Sequence, residues 1–287
     1  MAESMPWRIS LDYSYANANQ LIQGSVRQDD KETSLGVRNR HQTTLLGVSY
    51  DFTSRLTAGI SVPYVYNERW KDYINVYYSG EGIGDTTLFG RYWLKQERDA
   101  FNTYVELALS LPTGESDQKF TDPTTHTTLK PNGQNSYKES YITPGMGVYV
   151  PIIAVGFDKK ILERTSLFGR AQFMYPIGKN NAEYEASTPL SVTMGTTYTF
   201  IPAGRNLFGV SGQFNYVYDQ FRQDKRYGTN VGNTGGEWLD FEPGAWYSPD
   251  GGRLIFTVSV PYGLYYHVNS LQTNAPWTYN VGVSYRF

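Results

Sequence analysis

Arg8, Asp12, Arg91, Glu106, Arg170, Asp240, Glu242 and Arg286 each stand inside a segment whose alternate residues are aliphatic or aromatic. A guanidinium so placed can take a carboxylate or phenolate in a two-point grip, and a carboxylate can brace it or attract a cation. Phe89, Trp93, Tyr104, Tyr149, Phe168, Trp238 and Trp246 fall on the same phase of their segments. Their rings can stack on an aromatic solute or beneath an arginine. This is chemistry of recognition, with Arg91, Arg170 and Arg286 the candidate anchors for an anionic group.

Bond-making chemistry finds less support. The three histidines are His41, His126 and His267, and only the run His267-Val268-Asn269-Ser270 offers a neighbour of the kind an acyl-transfer site needs. A lipid hydrolase is therefore a weak functional reading, and the chain is expected not to be an enzyme. Glu115, Asp117 and Asp122 lack the spacing of a cation loop. With no cysteine in 287 residues, thiolate metal sites and disulfides are excluded. Neither a metal nor a cofactor is expected. A formal charge of −2 without a basic stripe leaves nucleic acid no electrostatic footprint.

The elements that must hold these residues are strands. Residues 277–287 place Trp277, Tyr279, Val281, Val283, Tyr285 and Phe287 on one face and Thr278, Asn280, Gly282, Ser284 and Arg286 on the other. Comparable alternation recurs over 7–17, 42–52, 56–67, 85–95, 101–112, 141–152, 166–176, 188–200, 207–218, 237–247 and 253–262, twelve segments in all. Connections alternate between short (53–55, 96–100, 201–206, 248–252) and long and polar (16–41, 70–84, 113–140, 178–187, 220–236, 263–276). Residues 154–165 are an exception, expected to be a longer connection on the short-turn side.

Mean hydropathy is −0.48, and no apolar run approaches the roughly 20 residues of a spanning helix. A membrane barrel escapes that test because lipid-facing and lumen-facing residues alternate. Tyrosine, at 25 residues, is the commonest aromatic, which suits membrane interfaces better than a soluble core. Aromatics gather at segment ends and aliphatics in the middle, as in Ile9-Leu11-Tyr13-Tyr15 and Leu46-Val48-Tyr50-Phe52 on one phase. The expected fold is an all-β, antiparallel transmembrane β-barrel of about twelve strands in the bacterial outer membrane, one domain over 1–287 with 1–6 as a disordered lead. No basic n-region or apolar h-region precedes it, which fits a mature chain.

Three local elements complete the reading: Gly82-Ile83-Gly84-Asp85 leading into a strand, Leu111-Pro112-Thr113-Gly114 leaving one, and the strand ends Val62-Pro63-Tyr64, Tyr175-Pro176-Ile177-Gly178 and Val260-Pro261-Tyr262-Gly263. The four prolines fall on the inward phase, and Gly82, Gly84, Gly114 and Gly178 read as turn residues. Together these elements resemble the outer-membrane transporter family labelled for the meta-pathway of phenol degradation. The resemblance implies a porin-like barrel that handles small organic, often aromatic, compounds. The expected function is thus a channel passing a small aromatic or amphipathic solute by diffusion, the alternative a closed barrel presenting long loops to a partner. Lipid, lipopolysaccharide and the solute are the expected partners, with the barrel-assembly machinery reading the C-terminal strand.

Overall fold

The computed structural model describes residues 5–29, 35–72, 76–97, 101–118, 142–200, 205–222, 224–232 and 234–287. Twelve strands make a wall: β1 (Trp7–Ala18), β2 (Val37–Asp51), β3 (Leu56–Lys71), β4 (Thr86–Lys95), β5 (Phe101–Leu111), β6 (Val150–Leu162), β7 (Thr165–Met174), β8 (Leu190–Thr199), β9 (Leu207–Asp219), β10 (Gly236–Ser248), β11 (Leu254–Ser259) and β12 (Thr278–Arg286). Each pairs antiparallel with its neighbours in the chain. β12 returns to β1 with Arg8 opposite Arg286 and Ala16 opposite Thr278, closing the sheet. Closure leaves no unpaired edge, which is what lets a sheet stand in hydrocarbon.

The register confirms the two faces. Leu11 stands opposite Leu46, Leu46 opposite Val62, and Leu88 opposite Leu109, so one phase builds a continuous apolar exterior. Leu11, Leu46, Leu107, Ile153, Val210 and Val281 are all exposed, the expected state of a wall that faces lipid. Aromatic rings band the end that holds the chain termini, where Trp7 meets Tyr50 at 4.8 Å, Phe101 stacks on Phe157 at 4.9 Å and Phe200 on Phe208 at 4.7 Å. A second band at the far end includes Tyr15 with Tyr279 and Tyr262 with Trp277. Two aromatic belts with aliphatics between them are the cross-section of a bilayer. The protein has the fold of a bacterial outer-membrane β-barrel.

Several expected boundaries move. β6 runs on through Leu162 to a two-residue turn at 163–164, so 154–165 is not a long connection. A register slip beside Thr165 absorbs the extra length as a bulge. Three expected long loops are largely strand: residues 76–83 pair with the outer part of β3, residues 262–274 continue β11 beyond Pro261, and residues 20–24 pair with 268–274. The wall therefore rises well past the outer aromatic belt. Of the lead 1–6, residues 1–4 lie outside the described residues, while the Pro6 carbonyl accepts a hydrogen bond from the Asp51 amide at 2.7 Å. Pro6 is thus tied to the barrel rim.

Candidate functional site

The lumen has two unequal halves. At its outer end the stems of the β5–β6 connection, residues 112–118 and 142–149, fold inward over the lumen face of β3. Asn67, on that face, donates to the Ile142 carbonyl at 3.3 Å, and Ile142 is fully buried. Residues 176–189 meet the same stems, with Asn180 donating to the Met146 carbonyl at 3.0 Å. Val150, Pro176 and Thr188 are buried in this packing. Toward the termini the interior opens into a cavity of about 940 Å³ lined by Arg8, Ser10, Asp51, Thr57, Ser61, Phe89, Arg91, Trp93 and Arg286 among others. A smaller space of about 210 Å³, sharing Ser61, Phe89 and Arg91, extends it to Glu106, Arg170 and Gln172.

The two motifs seen in the sequence meet at the outer constriction. The Gly114 amide donates to Asp85 Oδ1 at 2.9 Å and the Met146 amide to Oδ2 at 2.6 Å. Thr113 Oγ1 donates to the Gly84 carbonyl at 3.0 Å and receives the Thr86 amide at 2.8 Å. Gly84 and Gly114 are close-approach glycines rather than turn residues: a Cβ on Gly114 would lie 2.7 Å from Gly145 Cα and 2.8 Å from the Gly84 carbonyl carbon. Gly178 holds a turn-like positive φ of +80°, whereas Gly82, at +147°, is not in a turn but in the strand of residues 76–83, opposite Val65. Burial pushes the Asp85 carboxyl up from its ordinary value, while the Gly114, Met146 and Gly147 amides pull it back.

Below this clasp the register brings Arg91, Glu106 and Arg170 together. Arg91 donates from Nε at 2.9 Å and from its terminal nitrogen at 2.6 Å to one Glu106 oxygen, and Arg170 donates to the other at 2.6 Å. Glu106 is 7 % exposed, so one buried carboxylate holds two guanidiniums. Arg91 also lies 4.6 Å over the Tyr104 ring, and Tyr104 meets Trp93 edge-on at 4.9 Å. Across the barrel, on β10, Glu242 is ringed by neutral donors: Gln213 at 2.7 Å, Asn215 at 2.8 Å, Asn280 at 3.3 Å and the Ser259 hydroxyl. Asp12 and Asp240 share this acidic side, since β1 and β10 are separated only by β11 and β12. Arg91, on β4, lies six strands from β10 and so faces Glu242 across the lumen, whereas Arg170, on β7, stands three strands from it.

The inward aromatics lie against the wall. Phe89 covers Gly59, Tyr104 covers Gly156, Phe168 covers Gly195 and Trp246 covers Gly209, each glycine being the ring's register partner on the next strand. A Cβ at any of these glycines would fall within 2.3 to 2.7 Å of the ring. Pairing a large ring with a bare backbone keeps the bore wide. Trp238 takes the inward phase of β10 opposite Val217. Tyr149 does not belong to the set: Val150 and Ala154 are the buried positions of β6, which turns Tyr149 outward with Pro151 and Ile153, half exposed. The apolar run from Tyr149 to Phe157 carries no charge to fix its phase, which is why alternation alone misassigns it.

Arg286 donates to Asp51 at 2.8 Å, and Thr57 donates to the same carboxylate at 2.6 Å. Asp51 is a lumen residue that the sequence reading misses, although it stands in phase with Gly47 and Ser49 at the end of β2. Ser25 and His267 form a pair not visible in the sequence, Oγ to Nδ1 at 3.0 Å. Both are at the outer rim, and among the described residues no carboxylate or amide orients the second ring nitrogen, so the arrangement stops short of a triad. His126, Asp122 and residues 119–141 lie outside the described residues, and no cluster of metal ligands occurs among those described.

A closed twelve-stranded antiparallel barrel with a polar, arginine-rich lumen defines the class of outer-membrane β-barrels. Among solved structures the chain is similar to an outer membrane channel from Pseudomonas putida F1, with a TM-score of 0.72 at 12 % identity over 100 % of this chain and 97 % of that one. It is also similar to the β domain of the Bordetella autotransporter BrkA, at 0.54 and 13 % identity over 98 % and 99 %. The transport unit of the Escherichia coli autotransporter AIDA-I gives 0.52 at 10 % identity over 100 % and 92 %. At such identities the likeness is one of fold. No family model and no curated sequence matches the chain.

Proposed function

We propose that the barrel is a channel that passes a small aromatic or amphipathic solute by diffusion. The observation that carries this reading is the 940 Å³ cavity inside the wall, lined at once by Phe89 and Trp93 and by Arg8, Arg91 and Arg286. Such a lining offers an apolar surface to a ring and charge-assisted donors to a polar group, without any feature that would change a covalent bond. The Pseudomonas putida neighbour is described as an outer membrane channel, and the resemblance of the Gly82–Asp85 and Leu111–Gly114 elements to the phenol-pathway transporter family points to the same class of solute. Lipid and lipopolysaccharide around the wall, and the assembly machinery at residues 277–287, complete the proposed partners.

The test is single-channel conductance of the refolded protein in a planar bilayer, with and without aromatic acids in the bath. Current steps reduced by one of these acids support the reading. Liposomes carrying the protein that admit aromatic acids no faster than empty ones overturn it. A second reading, a barrel closed to solutes, is favoured by the packing of residues 112–118 and 142–149 over the outer lumen, and a silent bilayer speaks for it.

A further inference from the structure

We infer that the inner vestibule holds an organic-anion subsite built on Arg8 and Arg286, distinct from the Arg91–Glu106–Arg170 cluster. It deepens the channel reading and rests on it for its role in transport, although not for binding itself. Arg8 and Arg286 are direct register partners across the β1–β12 seam, and both line the 940 Å³ cavity. Like charges placed opposite each other in a ladder repel, and the single Asp51 carboxylate, bonded to Arg286, offsets only part of this repulsion.

The local charges are unbalanced. Among the described residues Asp51 is the one carboxylate that lines the cavity, against Arg8, Arg91 and Arg286. Glu106 occupies Arg91, and Asp51 occupies one terminal nitrogen of Arg286. Arg286 makes no other side-chain hydrogen bond among the described residues, and Arg8 has neither hydrogen bond nor ion pair there. The Arg8 guanidinium and the exposed side of Arg286, whose side chain is 41 % exposed, thus converge on a space that Phe89 and Trp93 also line. The ligand that meets both features is a carboxylate or phenolate carried on an aromatic ring: its oxygens reach Arg8 and Arg286, and its ring lies toward Phe89 and Trp93. Arg91 and Arg170 are poor anchors for the same anion because Glu106 already holds them both.

Benzoate is the probe, titrated by saturation-transfer NMR against the refolded protein in detergent micelles, with benzamide as its neutral counterpart. Saturable benzoate binding is expected in the wild type and none for benzamide. Arg8→Gln should weaken benzoate by about tenfold, the loss of one charge-assisted contact, and Arg8→Lys should restore most of it. Equal affinity in Arg8→Gln and wild type, or no saturable binding in the wild type, overturns the subsite. The two readings separate cleanly: a barrel that binds benzoate but passes no current keeps the subsite and loses the channel, whereas a conducting barrel indifferent to Arg8→Gln does the reverse.

Discussion

Asp85 Oδ1 accepts the Gly114 amide at 2.9 Å, and with its other oxygen on the Met146 amide this single side chain ties both stems of the β5–β6 connection to the start of β4. Asn at 85 keeps the shape but can accept at only one oxygen, leaving a partly buried N–H unmet. Asp85→Asn is expected to cost about 1–3 kcal/mol and to increase the flicker of single-channel currents as the stems loosen. Unchanged urea midpoint and current noise would show that the clasp is incidental.

The same carboxyl gives a pH dependence with a definite sign. Burial raises its value above 3.8 in the folded protein, so the folded state holds this proton more tightly than the unfolded chain does. Asp85's contribution to stability is then complete below 3.8 and declines as pH rises through the folded value, the reverse of an ion-paired aspartate. Infrared difference spectra of wild type against Asp85→Asn should show a carboxyl band that titrates above the usual aspartate range. A band at or below that range contradicts the assignment.

Gly114→Ala places a Cβ 2.7 Å from Gly145 Cα and 2.8 Å from the Gly84 carbonyl carbon, all backbone, so the stems must part. The expected loss is about 1–3 kcal/mol. Gly90, on the lipid face of β4, has open space for 4 Å around the point where a Cβ would stand, and Gly90→Ala is expected to be neutral. Equilibrium unfolding of the two variants side by side decides whether close approach or mere strand propensity fixes these glycines.

Glu106→Gln leaves Arg91 and Arg170 facing one neutral amide. A cost of about 2 kcal/mol is expected from the weakened charge-assisted bonds, together with a shift of reversal potential toward anions, because the lumen gains one positive charge. A reversal potential that stays put would mean that permeating ions do not pass this cluster.

Leu107 and Ala108 test the two faces at one height. Leu107 is 61 % exposed on the outer wall, whereas Ala108 lines the inner space beside Arg170. Leu107→Arg should cost about 2–4 kcal/mol of folding free energy in a bilayer, and Ala108→Arg much less. Equal costs would refute the assignment of faces.

Alternation determined a great deal by itself: strand number, sidedness, and the inward phase of Arg8, Asp12, Phe89, Arg91, Trp93, Tyr104, Glu106, Arg170, Trp238, Asp240, Glu242, Trp246 and Arg286. These are local properties, because a period of two fixes a side chain's face once the segment is a strand. It fails at Tyr149, where an uncharged run gives both phases equal credit. What only the tertiary structure decided is who meets whom. Register and closure place Glu106 between Arg91 and Arg170, Arg8 beside Arg286, and Asp85 against Gly114, contacts between residues 15 to 278 positions apart that no local pattern encodes. A slip of two residues of one strand against the next would redirect these pairings while leaving every side chain on its face, so the fold is written along the chain and the site across it.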